Sequence, residues 1–122
     1  MQHSPGFQAL CEQVRAQVRE VQVDELEALL AEAGALLLDV REDHEWVKGR
    51  LPRAEHLGRG ILERDIEKRV PDKATSLYLY CGGGYRSALA AHNLQLMGYT
   101  AVFSVAGGYK AWVAMGGIIA ED

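Results

Sequence analysis

The run "YLYCGGGYRSALAAHNLQLMGY" places a cysteine at the end of an apolar stretch, follows it with three glycines, and sets an arginine and a serine at the start of a helical pattern. These residue types at this spacing suit one kind of chemistry. A residue just past a strand and before a helix sits in a turn whose backbone N–H groups can point inward, and the helix adds the positive end of its dipole. Gly82, Gly83 and Gly84 remove three side chains from that turn and admit left-handed backbone. Cys81, facing such a nest, is expected to favour its thiolate, with a pKa below the free value of about 8.5. Arg86 offers charge and a planar hydrogen-bonding fork, Ser87 a hydroxyl to brace the loop or the sulfur, and Tyr85 a wall for the pocket. The pattern is that of a thiolate nucleophile for an anionic substrate. The plainer reading, a buried structural cysteine beside a flexible turn, needs glycines, strand end, helix start and arginine to coincide by accident.

Such a loop must be held by strands and helices, and the chain alternates them. "SPGFQALCEQVRAQV" reads as a helix capped by Ser4, with Pro5 in its first turn and Phe7, Leu10, Cys11, Val14 and Val18 on one face. "REVQV" alternates like a short strand. "DELEALLAEAG" reads as a helix with Asp24 and Glu27 at capping-box spacing and Gly34 as its stop. "ALLLDV" is a buried strand ending in Asp39, "EDHEWVKG" one or two helical turns, and "LPRAEHL" extended. "GILERDIEKRV" reads as a helix with Ile61, Leu62, Ile66 and Val70 inward; "SLYLY" and "TAVFSV" are strands. "RSALAAHNLQLMG" is the longest helix, with Ala90, Leu94 and Met97 on its apolar stripe. Gly107 and Gly108 turn the chain into a last short helix, "YKAWVAMGG". This alternation predicts an α/β fold, a mostly parallel sheet with helices on both faces. Ligands of such sheets bind beyond the carboxyl ends of the strands, and Asp39 and Cys81 both sit at such ends.

The bulk numbers set bounds. With 122 residues and no linker or repeat, one domain is expected. Net charge is -4, which argues against a nucleic-acid or anionic-membrane partner. No apolar run approaches the roughly 20 residues of a membrane span. The first residues lack the pattern of a secretory signal, so a cytoplasmic, reducing setting is expected. Two cysteines make no disulfide framework, and scattered histidines make no zinc site. Cys11 falls on the apolar stripe of the first helix and reads as structural. A resolving thiol for Cys81 would require that helix to cross the active-site edge.

The chain resembles the single-domain rhodanese (thiosulfate sulfurtransferase) family. The resemblance rests on "LLLDVREDHEW", "GRLPRAEHL", "LYLYCGGGYRSALAAHNLQLMGY" and "VFSVAGGYKAW", in that order, over about residues 19–117. It implies a rhodanese-like α/β domain at 19–117 with a central five-stranded parallel sheet, preceded by an N-terminal helical extension at 1–18 and followed by a short tail at 118–122. It also implies that Cys81 takes a sulfane sulfur from thiosulfate or a similar donor, carries it as a persulfide, and passes it to cyanide, a thiol or a protein acceptor. Gly82 through Ser87 would bind substrate, with no metal or organic cofactor. In the "DVRE" match, Asp39 would orient the loop or bond to Arg86, and Arg41 would pair with a carboxylate and fix the following turn.

The chain departs from the family at Arg50, where a histidine is common, and at Arg53, where a glycine is. Basic loop residues that accompany thiosulfate preference are absent apart from Arg86. Arg50, Arg53 or Arg59 would supply the missing charge, or else be solvated surface charges. Trp46, Trp112 and the histidines read as packing or surface residues. Two other functions stay open: a rhodanese-like binding or regulatory module with little turnover, and a cysteine phosphatase or arsenate reductase relative. The second is disfavoured because four residues, not five, separate Cys81 from Arg86.

Overall fold

The computed structural model describes residues 3–121; residues 1, 2 and 122 of the two flanking segments lie outside it. In chain order the elements are α1 (Pro5–Arg15), β1 (Arg19–Val21), a 3-10 turn (Val23–Glu25), α2 (Leu26–Leu29), β2 (Leu36–Asp39), α3 (Asp43–Lys48), β3 (Ala54–His56), α4 (Arg59–Arg69), β4 (Leu77–Tyr80), α5 (Tyr85–Leu96), β5 (Val102–Val105) and α6 (Gly108–Ala114). All five strands form one parallel sheet in the order β1-β5-β4-β2-β3. The predicted α/β architecture is therefore the one observed.

Strand β4 shows why the sheet is covered on both sides. Its side chains alternate, so Leu77 and Leu79 enter one core with Leu62, Ile66, Ala91 and Leu94 of α4 and α5. Tyr78 and Tyr80 enter the other core with Leu26, Leu37 and Val105, against which Trp112 of α6 packs. Helix α1 makes a third layer. Its Cys11 and Val14 pack on Ala88 and Leu89 of α5, so the N-terminal helix lies on its own domain.

Several local expectations shift. Ser4 stands at the N-cap of α1 but its side chain makes no capping bond, and Leu10 is 49% exposed, because α5 covers only the Cys11–Val14 side. The capping box before α2 is formed by Gln22 and Glu25 rather than Asp24 and Glu27, and the helix ends at Leu29, five residues before Gly34. Ile61 is 41% exposed, while Leu62, Ile66 and Val70 are buried as expected.

Candidate active site

Cys81 follows the last residue of β4, and Asp39, which ends β2, pairs in register with Tyr80. The two sequence-distant strand ends thus meet at one edge of the sheet. Cys81 is buried, and the backbone N–H of Gly84 donates to its Sγ at 3.1 Å. Gly84 lies at φ +98°, and a Cβ there would come within 3.1 Å of the Gly107 nitrogen; only glycine lets the loop both turn and rest against the second glycine turn.

That second turn shapes the first. The N–H of Tyr109 donates to the Cys81 carbonyl at 2.8 Å, and the N–H of Lys110 to the Gly82 carbonyl at 3.0 Å. Two loop carbonyls are thereby turned toward α6. A Cβ on Gly108 would sit 2.3 Å from the Cys81 oxygen, so this position too tolerates no side chain.

Below the sulfur lies a hydroxyl pair. The Cys81 thiol donates to Ser87 Oγ at 3.5 Å, and Ser87 Oγ lies 2.8 Å from Ser104 Oγ of β5. Both serines are fully buried, so each hydroxyl depends on the other for satisfaction.

Arg86 is in the first turn of α5, as expected, but its partner is Glu45 of α3. Nη1 and Nη2 meet the two carboxylate oxygens at 2.7 and 3.0 Å. The guanidinium hydrogen bond pulls the Glu45 carboxyl from its usual 4.5 down to about 2. Gly82 makes room for this pair: a Cβ there would lie 3.0 Å from Arg86 Nη2.

Asp39 does not bond to Arg86. Its buried carboxylate accepts from Arg41 Nε and Nη2, from the Arg41 N–H, and from the Tyr80 hydroxyl at 2.6 Å. Arg41 reaches on to the Gly49 carbonyl at 2.6 Å, tying β2 to the end of α3. This buried pair fixes the scaffold one layer beneath the loop, and neither residue lines the cavity above it.

The cavity measures about 930 Å³ and has Cys81, Gly82 and Gly83 in its floor. Arg86, Glu45, Glu42 and His44 line one side, and Lys110 and Ala111 of α6 another. Tyr85 walls it together with Phe7 of α1 and His3 just before that helix. The three rings touch: His3 meets Tyr85 edge-on at 4.5 Å and Phe7 at 5.1 Å, and Phe7 lies 6.1 Å from Tyr85. Glu42, His44 and Glu45 also bring ligand atoms within 4.8 Å of one another, but Glu45 is already engaged by Arg86.

A family model for the rhodanese-like domain matches residues 22–115. The chain belongs to the rhodanese-like domain family. Among solved structures, it is similar to a thiosulfate sulfurtransferase from Pseudomonas aeruginosa (25% identity, 93% of this chain and 22% of that one, TM-score 0.84). A polysulfide-sulfur transferase homodimer from Wolinella succinogenes shares the fold (24% identity, 94% and 87%, TM-score 0.81). So does a protein of unknown function and possible tyrosine phosphatase from Rhodopseudomonas palustris (26% identity, 98% and 98%, TM-score 0.80).

In this rhodanese-like domain, Cys81, the three glycines, Tyr85, Arg86 and Ser87 converge on one edge. Arg50, Arg53 and Arg59 are not among the cavity-lining residues. Arg50 is buried rather than solvated: its guanidinium lies 4.4 Å over the Trp46 ring and Nη1 donates to the Trp46 carbonyl. Arg53 is exposed in left-handed backbone beside a second, apolar cavity, and Arg59 opens α4 with its Nε buried. Sequence reasoning missed Glu45, Lys110, Ser104 and Phe7 as neighbours of the loop. Only Glu45 carried a signal, an acidic residue in a turn after a strand end on the same sheet edge. None of the described helices is long and apolar enough to cross a membrane.

Proposed function

We propose that this domain is a sulfurtransferase working through a Cys81 persulfide in a reducing, cytoplasmic setting. The observation that carries the reading is the buried Cys81 sulfur receiving the Gly84 N–H at the floor of an open cavity, in a loop closed by Arg86. The Cys81 thiolate attacks the outer sulfur of a sulfane donor such as thiosulfate. A new S–S bond forms, the donor's S–S bond breaks, and sulfite leaves with the electron pair. The loop amides then hold the charge of the persulfide. A thiophilic acceptor, whether cyanide, a small thiol or a protein thiol, takes the outer sulfur and restores the thiolate.

Both cysteines are free, and Cys11 is fully buried against α5, so it serves packing. The four-residue spacing between Cys81 and Arg86 gives a smaller cradle than phosphatase chemistry uses, which disfavours phosphate esters. Initial-rate kinetics with thiosulfate and cyanide test the reading. Parallel double-reciprocal lines are expected, with no thiocyanate from Cys81→Ser; intersecting lines or an active Cys81→Ser protein contradict it.

A further inference from the structure

A second cavity, of about 500 Å³, shares no lining residue with the first. Helix α6 stands between them, giving Lys110 and Ala111 to the Cys81 cavity and Trp112 and Met115 to this one. The other walls come from α2, from Leu37 of β2 and from the segment 51–53 that enters β3. All strands run parallel, so that segment lies at the amino end of β3, while Cys81 follows the carboxyl end of β4. The volume falls in the range of small-molecule sites, roughly 300–1,000 Å³.

The floor is apolar and buried, built from Leu26, Leu30, Leu37 and Leu51. Trp112 spends its indole N–H on the Ile118 carbonyl at 2.7 Å, and a Cβ on Gly117 would lie 2.3 Å from the indole, so the chain after α6 rests on that ring. Met115 and Ile118 leave an apolar rim open to water, 47% and 75% exposed. Two charged side chains line the cavity, Arg53 and Glu27, one of each sign. Among the described residues, neither is held by an ion pair or a side-chain hydrogen bond, and they do not pair with each other. Arg53 is also the one non-glycine residue described in left-handed backbone, at φ 72°, a conformation that costs energy to keep.

We infer that this cavity binds a small apolar zwitterion, the chemistry of a free hydrophobic amino acid. The carboxylate of the ligand meets Arg53, its ammonium meets Glu27, and its side chain covers the leucine floor beside Trp112. A fatty acid would leave Glu27 unanswered, and an alkylamine would leave Arg53 unanswered. The inference is independent of sulfur transfer, because no residue of the Cys81 loop takes part.

An NMR titration of the full chain tests it, following the Trp112 indole N–H and the Gly116 and Gly117 amides. The probes are L-phenylalanine, 3-phenylpropionate, which lacks the ammonium, and phenethylamine, which lacks the carboxylate. Phenylalanine is expected to bind most tightly, and to bind Cys81→Ser equally well. Arg53→Gln is expected to weaken phenylalanine about fivefold and leave phenethylamine unchanged; Glu27→Gln is expected to weaken phenylalanine about fivefold and leave 3-phenylpropionate unchanged. Ile118→Ser, a change at an exposed side chain, is expected to weaken all three about threefold. No saturable shift with phenylalanine, equal or tighter binding of either singly charged analogue, affinities that ignore both Arg53 and Glu27, or shifts confined to the Cys81 loop would overturn the inference.

Discussion

Ser104 places a hydroxyl in the interior of a central strand, where the neighbouring Val102 and Val105 are fully buried apolar side chains. A buried hydroxyl is retained at a cost unless it is satisfied, and Ser87 satisfies it. The two hydroxyls can reverse their donor order, so Ser87 can accept from a thiol or donate to a thiolate or persulfide. Ser104→Ala removes the partner that holds Ser87 in place. It is expected to slow alkylation of Cys81 and sulfur loading by about fivefold, equivalent to one hydrogen bond of about 1 kcal/mol. Unchanged rates in a folded Ser104→Ala protein would show that the pair serves packing alone. From sequence, Ser104 was one residue of a strand, and nothing local marked it. The partners of Asp39 are hidden in the sequence for a related reason. Its partner is decided by Arg41 two residues on and by Tyr80 across the sheet, and only the register brings Tyr80 there.

At the scale of elements, two glycine turns hold one another. The cysteine turn joins β4 to α5, the second joins β5 to α6, and the amides of α6 bind the carbonyls of the first. Gly108→Ala puts a methyl group against the Cys81 carbonyl and a side chain at φ +52°. The left-handed backbone alone costs about 1–2 kcal/mol. Denaturant unfolding is expected to show at least that loss, accompanied by a severe fall in sulfur loading as the loop shifts. A Gly108→Ala protein with native stability and native loading would refute the back-to-back arrangement. The strands and most helices were legible because apolar runs of four or five residues stood between clear helical patterns. The end of α2 was not: Leu29, Leu30 and Ala33 continue a helical stripe in sequence, yet the chain must turn after one helical turn to enter β2. Propensity yields there to the geometry of the crossover. Both glycine turns were visible in the sequence, but their mutual packing was not, since it depends on β4 and β5 being neighbours.

Across the whole molecule, the site is assembled from four parts of the chain: the β4–α5 loop, α3, the start of α6 and the N-terminal helix. The Glu45–Arg86 bridge links two of them and gives the molecule an acid-sensitive joint. Because the folded Glu45 carboxyl lies at about 2 against its usual 4.5, its stabilising contribution is full above about 4.5. The contribution is lost as pH falls from there toward 2, where the carboxyl protonates in the folded protein as well. Native stability is expected to fall across that window, and Glu45→Gln to flatten this part of the fall. Identical slopes for the two proteins would mean that the bridge contributes nothing to folding. The α/β class and the rhodanese resemblance were readable from ordered motifs spread along the chain. The N-terminal helix as a wall of the cavity was not, because its docking on α5 is set by Ala88 and Leu89, which read in sequence only as helix filler.

Sulfur carriage by Cys81 is tested most directly by weighing the intact protein after incubation with a sulfane donor and removal of the excess. The account predicts a gain of one sulfur atom, absent in Cys81→Ser and discharged by cyanide. An unchanged mass with both inorganic and organic donors, or a gain that survives Cys81→Ser, would contradict it.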